Sequence, residues 1–103
     1  MPHTLHTGLD FAQIVVTHPV GYEVILYRQG DTVHAYRNSC PHLGVGLDYG
    51  DGRCLAEDGK TLFCALHAAT FEGDTGACTG GPCFGQALKR VPVRVEGEKI
   101  VTD

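Results

Sequence analysis

Short apolar runs, broken by glycine and aspartate, set the pattern of this chain. Phe11 to Thr17 (FAQIVVT) is apolar and rich in β-branched residues, as a short strand requires. Tyr22 to Arg28 (YEVILYR) and Thr32 to Asn38 (TVHAYRN) flank Gln29-Gly30-Asp31, a hairpin signal. Lys60 to Cys64 and Ala68 to Glu72 read as strands entering and leaving a loop, and Asp74 to Pro82 (DTGACTGGP) as a glycine-rich loop. The tail alternates: Val91, Val93 and Val95 share one face, with Arg90, Arg94 and Glu96 on the other. Glu96-Gly97-Glu98 turns that strand back into Lys99-Ile100-Val101. No segment has a helical apolar period. With 14 glycines among 103 residues, the pattern predicts an all-β domain of short strands, and the length allows one domain, residues 1–103.

Composition changes this picture little, whereas charge narrows the partners. An apolar fraction of 43% suffices to offset the ordering entropy, so the chain is expected to fold. A formal charge of −4 argues against nucleic acid, whose binders present a basic face. No apolar run reaches membrane-spanning length. The start, MPHTLHTGLDFAQ, lacks the basic and apolar segments of a signal peptide, so a cytoplasmic, monomeric protein is expected. In that reducing compartment an odd count of five cysteines opposes a disulfide framework and favours metal binding.

Two stretches carry that chemistry. SCPHLG holds Cys40 and His42; FCALHAATF holds Cys64 and His67. Four soft or borderline ligands in two pairs suit a metal. One tetrahedral zinc with two Cys and two His is the simplest occupant, and would make the chain an interaction module. A two-iron cluster explains the mixed pairing better. If both cysteines bind one iron and both histidines the other, each loop must supply one of each, which is the Rieske ligand set of a [2Fe–2S] centre. Such a cluster is formally neutral when oxidised, whereas four thiolates leave it doubly negative. Adding an electron to a neutral centre costs less, so histidine ligation raises the potential. All positions on the irons are filled, which points to electron transfer rather than catalysis at the metal. Cys64 and His67 as nucleophile and base would leave Cys40 and His42 unexplained.

CPHLG, then CALHAATF, then DTGACTGGP resembles the Rieske ferredoxin domain, from the hairpin before Cys40 to the chain end, roughly residues 20 to 103. The resemblance implies three stacked antiparallel sheets and a two-loop cluster-binding subdomain. It implies a third, proline-containing shielding loop, which Thr79 to Cys83 matches. It implies that His42 and His67 hold the outer iron near the surface; Leu43, Pro82 and Phe84 read as an apolar collar there, or as loop packing. The chain is most similar to the stand-alone ferredoxins of ring-hydroxylating dioxygenases. Its implied partners are a flavin-dependent reductase and a terminal oxygenase, met transiently. The small subunit of assimilatory nitrite reductase is the alternative of similar length and fold.

Departures from the family refine the expectation. Respiratory members add a cysteine to each cluster loop, joined as a disulfide; the matching positions here are Val45 and Leu66. Those members also set a serine and a tyrosine hydroxyl against the cluster sulfurs, where this chain has Ala69 and Phe71. Without those donors the reduced state is less stabilised, so the potential is expected near the low end of the Rieske range, about −150 mV. It is also expected to fall as pH rises through the imidazole pKa of the oxidised state. Ala68 stands where glycine is common and is expected at negative φ. The longer stretch before Cys64, placed in Asp48 to Lys60, reads as a solvated loop, or as an acidic docking patch. Cys54 is expected as an isolated thiol in that loop; His3, His6 and His18 as surface residues; His34 as a solvent-facing strand residue. Cys78 and Cys83 read as small buried side chains beside the cluster, with a bridge between them left open.

Overall fold

The structure, a computed structural model, describes residues 3–39, 46–47, 54–64, 69–81 and 85–102. Among the described residues, nine strands make three antiparallel three-stranded sheets and there is no helix. β1 (His3–Thr7), β9 (Lys99–Thr102) and β8 (Arg94–Glu96) form the first sheet, in that order. β2 (Gln13–Thr17), β3 (Glu23–Gln29) and β4 (Thr32–Arg37) form the second. β5 (Thr61–Phe63), β6 (Thr70–Glu72) and β7 (Cys78–Gly80) form the third, which carries the metal-loop motif.

The middle sheet is buried on both faces, and β3 shows why its sequence is a continuous apolar run. Val24 and Leu26 point to one core with Ala35, Val91 and Ile100, toward the β1-β9-β8 sheet. Ile25 points the other way, into a core with Tyr36, Leu62, Phe71 and Cys78, toward the third sheet. A half-exposed strand would alternate; a strand between two layers cannot afford a polar face.

Two tyrosines lock the middle sheet to the third. The Tyr36 hydroxyl donates to Gly73 O at 2.8 Å, and the Tyr27 hydroxyl donates to Gly59 O at 2.6 Å. Gly73 admits this contact because it has no side chain: a Cβ there would lie 2.6 Å from both the Tyr27 ring and Lys60 O.

Several expectations are corrected. The N-terminal segment is a strand: Leu5 packs into the second core and β1 pairs with β9, a tertiary pairing that HTLHT does not announce. β7 lies inside the stretch read as loop, because backbone pairing with β6 overrides its glycine content. The tail enters its sheet only at Arg94; Val91 is buried, but Val95 is 37% exposed on the short strand β8. Residue Cys54 is fully buried in the core beside Leu62 and Cys64, and its N–H donates to Gln13 Oε1 at 3.1 Å. His18 is buried too. It closes a turn by accepting from Val20 N–H through Nδ1 at 3.2 Å, and its ring stacks on Tyr22 at 4.5 Å. His6 is half-buried, edge-on to Phe11, and only His3 is exposed as expected.

His34 is half-buried rather than solvent-facing, stacked 6.0 Å from the Tyr27 ring. Burial, and then the nearby Arg90 charge, push its pKa below the usual value, while Asp74 pulls weakly the other way. The unfolded chain therefore takes up a proton near pH 6.5, before the folded chain does. Stability should be fully present above that pH and fall as pH drops through the depressed folded value. Urea midpoints measured from about pH 7.5 to 5 should decline, and His34→Gln should flatten the curve in that window.

Candidate metal centre

Cys64 follows β5 directly and is fully buried. The loop 65–68 leaves from it and returns at Ala69, also fully buried, and the loop is closed by Cys64 N–H donating to Ala69 O at 2.8 Å. β5 and β6 are thus a hairpin whose tip is the Cys-x-x-His loop, with Leu62 opposite Phe71 in register.

The first loop leaves from the end of β4. Asn38 N–H donates to Glu23 O at 2.9 Å, continuing the β3–β4 pairing by one residue. The Asn38 side-chain Oδ1 then accepts from Leu47 N–H at 2.7 Å, across residues 39–46. Leu47 is fully buried in the same core as Cys64, Ala69 and Cys78. The third loop leaves from β7 at Gly81, whose backbone lies so close to the second loop that a Cβ would stand 2.7 Å from Ala69 Cα. Its return is held by Cys78 N–H to Gln86 O at 2.9 Å and the bridge between Ala77 and Ala87. The mouths of all three loops therefore meet over one apolar floor.

Of the four expected ligands the structure places Cys64; Cys40, His42 and His67 lie outside the described residues. So do Leu43, Val45, Leu66, Ala68, Pro82, Cys83 and Phe84. Cys64 fits its role, since a thiol buried at a loop mouth is where an inner iron would be held away from water. Ala69 and Phe71 sit fully buried beside that mouth and carry no hydroxyl, so neither side chain supplies a hydrogen bond to a sulfide. Cys78 is buried in the adjoining strand, its thiol donating to Gly80 O at 3.1 Å.

The stretch Asp48 to Lys60 is partly core. Its second half is a hairpin arm, with Leu55 bridged to Leu62 and Phe63 N–H donating to Cys54 O at 2.8 Å. Asp58 builds its turn, accepting from Lys60 N–H, Thr61 N–H and the Thr61 hydroxyl, and these bonds lower its pKa. Asp48 and Asp51 of the expected acidic patch, and Arg53 set against them, lie outside the described residues. Sequence reasoning missed Asn38 and Gly81, both of which shape the loops. The signals were there: an Asn just past a strand is a turn former, and a Gly-Gly pair marks a close backbone approach.

Comparison with known proteins agrees with this geometry. The model of the Rieske [2Fe-2S] domain matches residues 7–97. The ferredoxin component of the alkene monooxygenase system of Xanthobacter autotrophicus is 35% identical over 82 residues, 78% of this chain and 61% of that protein. Oxidoreductase NdmD of Pseudomonas putida is 36% identical over 69 residues, 66% of this chain and 11% of that protein. The chain thus spans under two thirds of either curated relative. Among solved structures, the ferredoxin of carbazole 1,9a-dioxygenase from Nocardioides aromaticivorans IC177 superposes with a TM-score of 0.75 at 29% identity, covering 99% of this chain and 96% of that one. The three-sheet architecture, the converging loops and the family match over most of its length place this chain in the Rieske [2Fe-2S] domain family, whose cofactor is a two-iron, two-sulfide cluster.

Proposed function

We propose that the chain, as one domain spanning residues 1–103, is a one-electron carrier of an oxygenase system. The observation that carries this reading is the convergence of three loop mouths over the buried Cys64. Cys40 and Cys64 would hold the inner iron as thiolates, and His42 and His67 the outer iron through neutral imidazoles. The bound cluster supplies reversible uptake of one electron. The residues around it do the rest: the fully buried Leu47, Ala69 and Phe71 exclude water from the thiolate side. Two relatives named above are ferredoxins of oxygenase systems, which supports a flavin-dependent reductase as donor and a terminal oxygenase as acceptor. Contacts with both would be transient, since electron-transfer encounters are small. No helix of the described residues is long and apolar enough to cross a membrane.

The purified protein should be red-brown, bleach with dithionite and give the EPR signal of a Rieske centre. It should then be reduced by NADH through a flavin reductase and reoxidised by an oxygenase with substrate present. A colourless protein holding one zinc would overturn the proposal.

Phe71→Tyr tests the low expected potential. A hydroxyl that donates to a cluster sulfur, worth about 1 kcal/mol more in the reduced state, raises the potential by roughly 40 mV. Protein-film voltammetry of the two proteins at one pH reads that difference.

A further inference from the structure

The two metal-binding loops are closed by different means, and the difference singles out a residue that no ligand motif includes. The second loop has a backbone closure among the described residues, Cys64 N–H to Ala69 O. The first is closed by a side chain: Asn38 Oδ1 accepts from Leu47 N–H at 2.7 Å. Leu47 is fully buried, so its N–H has no recourse to water.

Asn38 is itself held. It is only 8% exposed, its N–H donates to Glu23 O at 2.9 Å, and its Nδ2 donates to Glu23 Oε1 at 3.4 Å. These contacts fix the orientation of the amide, because a flipped group would set donor against donor at Leu47 and acceptor against acceptor at Glu23. They also explain why the residue is an amide. Serine would not span the gap, and aspartate would face Glu23 with a second carboxylate.

We propose that Asn38 is a positioning residue: clamped by Glu23 at the end of β4, its side-chain carbonyl closes the loop bearing Cys40 and His42 and sets the attitude of both toward the irons. The inference rests on the reading of Cys40 and His42 as ligands. Cys40 lies two residues from Asn38, so a change in how the loop is tied reaches the iron through very little backbone. The half bearing Cys40 and His42 is thereby one that a single side-chain substitution can loosen.

The test uses purified holoprotein and four variants: Asn38→Ala, Asn38→Asp, the double variant Asn38→Asp with Glu23→Gln, and Tyr36→Phe. Asn38→Ala should release iron to a chelator faster by about tenfold, the factor expected from one buried hydrogen bond lost. It should also shift the EPR g-values and the midpoint potential. Tyr36→Phe, which loses a buried hydrogen bond to Gly73 O and no loop closure, should lower the melting temperature and leave g-values and potential unchanged. Asn38→Asp keeps an acceptor for Leu47 N–H but loses the donor to Glu23 and sets two carboxylates together, so its readouts should fall between the parent and Asn38→Ala. Adding Glu23→Gln to Asn38→Asp restores a donor facing an acceptor at the same net charge, and should return g-values and potential to those of the parent.

A parent-like spectrum and release rate in Asn38→Ala would overturn the proposal, as would a double variant no closer to the parent than Asn38→Asp. A parent protein without iron–sulfur absorption would instead overturn the underlying reading of the site.

Discussion

Cys64→Ser is expected to yield a protein without the visible absorption of an iron–sulfur cluster, while Cys54→Ala keeps its colour. The two cysteines are close to indistinguishable by burial: both are fully buried, and both belong to one core. Their backbones differ. Cys54 lies on a hairpin arm paired to β5, with its N–H tied to Gln13 and its carbonyl to Phe63. Cys64 sits at the mouth of the Cys-x-x-His loop, with Ala69 closing the loop opposite it. An iron thiolate bond is not replaced by an alkoxide at neutral pH, because serine keeps its proton where a metal-bound cysteine has lost its own. Loss of one inner ligand leaves an iron with an open position, and the cluster does not survive purification. Cys54→Ala removes a sulfur from a packed core and should cost about 1–2 kcal/mol of stability with no loss of iron. Iron and sulfide content, the visible spectrum and a melt of each variant decide it. A red-brown Cys64→Ser protein with two irons per chain would remove Cys64 from the ligand set.

The layered fold was legible where burial on both sides left an uninterrupted apolar run, as in Val24 to Tyr27, and where Gly30 marked the hairpin to β4. The candidate metal loops stand out in the sequence because mixed Cys–His pairs have few other uses. What escaped was decided by distant residues. His3 to Thr7 becomes a strand because Ile100 and Val101 offer it a buried edge. Cys54 reads as part of a solvated loop because Asp51-Gly52-Arg53 precede it and Glu57-Asp58-Gly59-Lys60 follow close behind. It is buried because Gln13, far away in sequence, accepts its N–H and Leu62 packs beside it. His18 is buried by a ring stack with Tyr22 and a turn closed through Nδ1, neither of which leaves a periodic signature. The loop closures follow the same rule. Cys40 and Cys64 announce themselves by chemistry, whereas Asn38 and Gly81 act through geometry that only the folded chain supplies.

The Gly81→Ala variant is expected to be the most damaging single methyl that the third loop can receive. Gly81 has φ +90°, and a Cβ on it would meet Ala69 at 2.7 Å from Cα and 3.1 Å from N. Both atoms are backbone, so no rotamer change relieves the contact; either the third loop or the Cys64–Ala69 closure must shift. Gly85, four residues on, makes the control. Its φ is +93°, and a Cβ there would meet nothing within 4 Å. Gly85→Ala therefore reports backbone strain alone, about 1–3 kcal/mol less the gain from a stiffer unfolded chain. Gly81→Ala adds overpacking of about 1–3 kcal/mol, so it should melt about 10 °C below Gly85→Ala. The functional effect should separate the two further. If the third loop shields the cluster, lifting it from Ala69 admits water and oxygen, and colour should fade faster in air for Gly81→Ala than for Gly85→Ala at matched distances below each melting temperature. Equal fading of the two variants would mean that the loop packs on the second loop without protecting what the second loop holds.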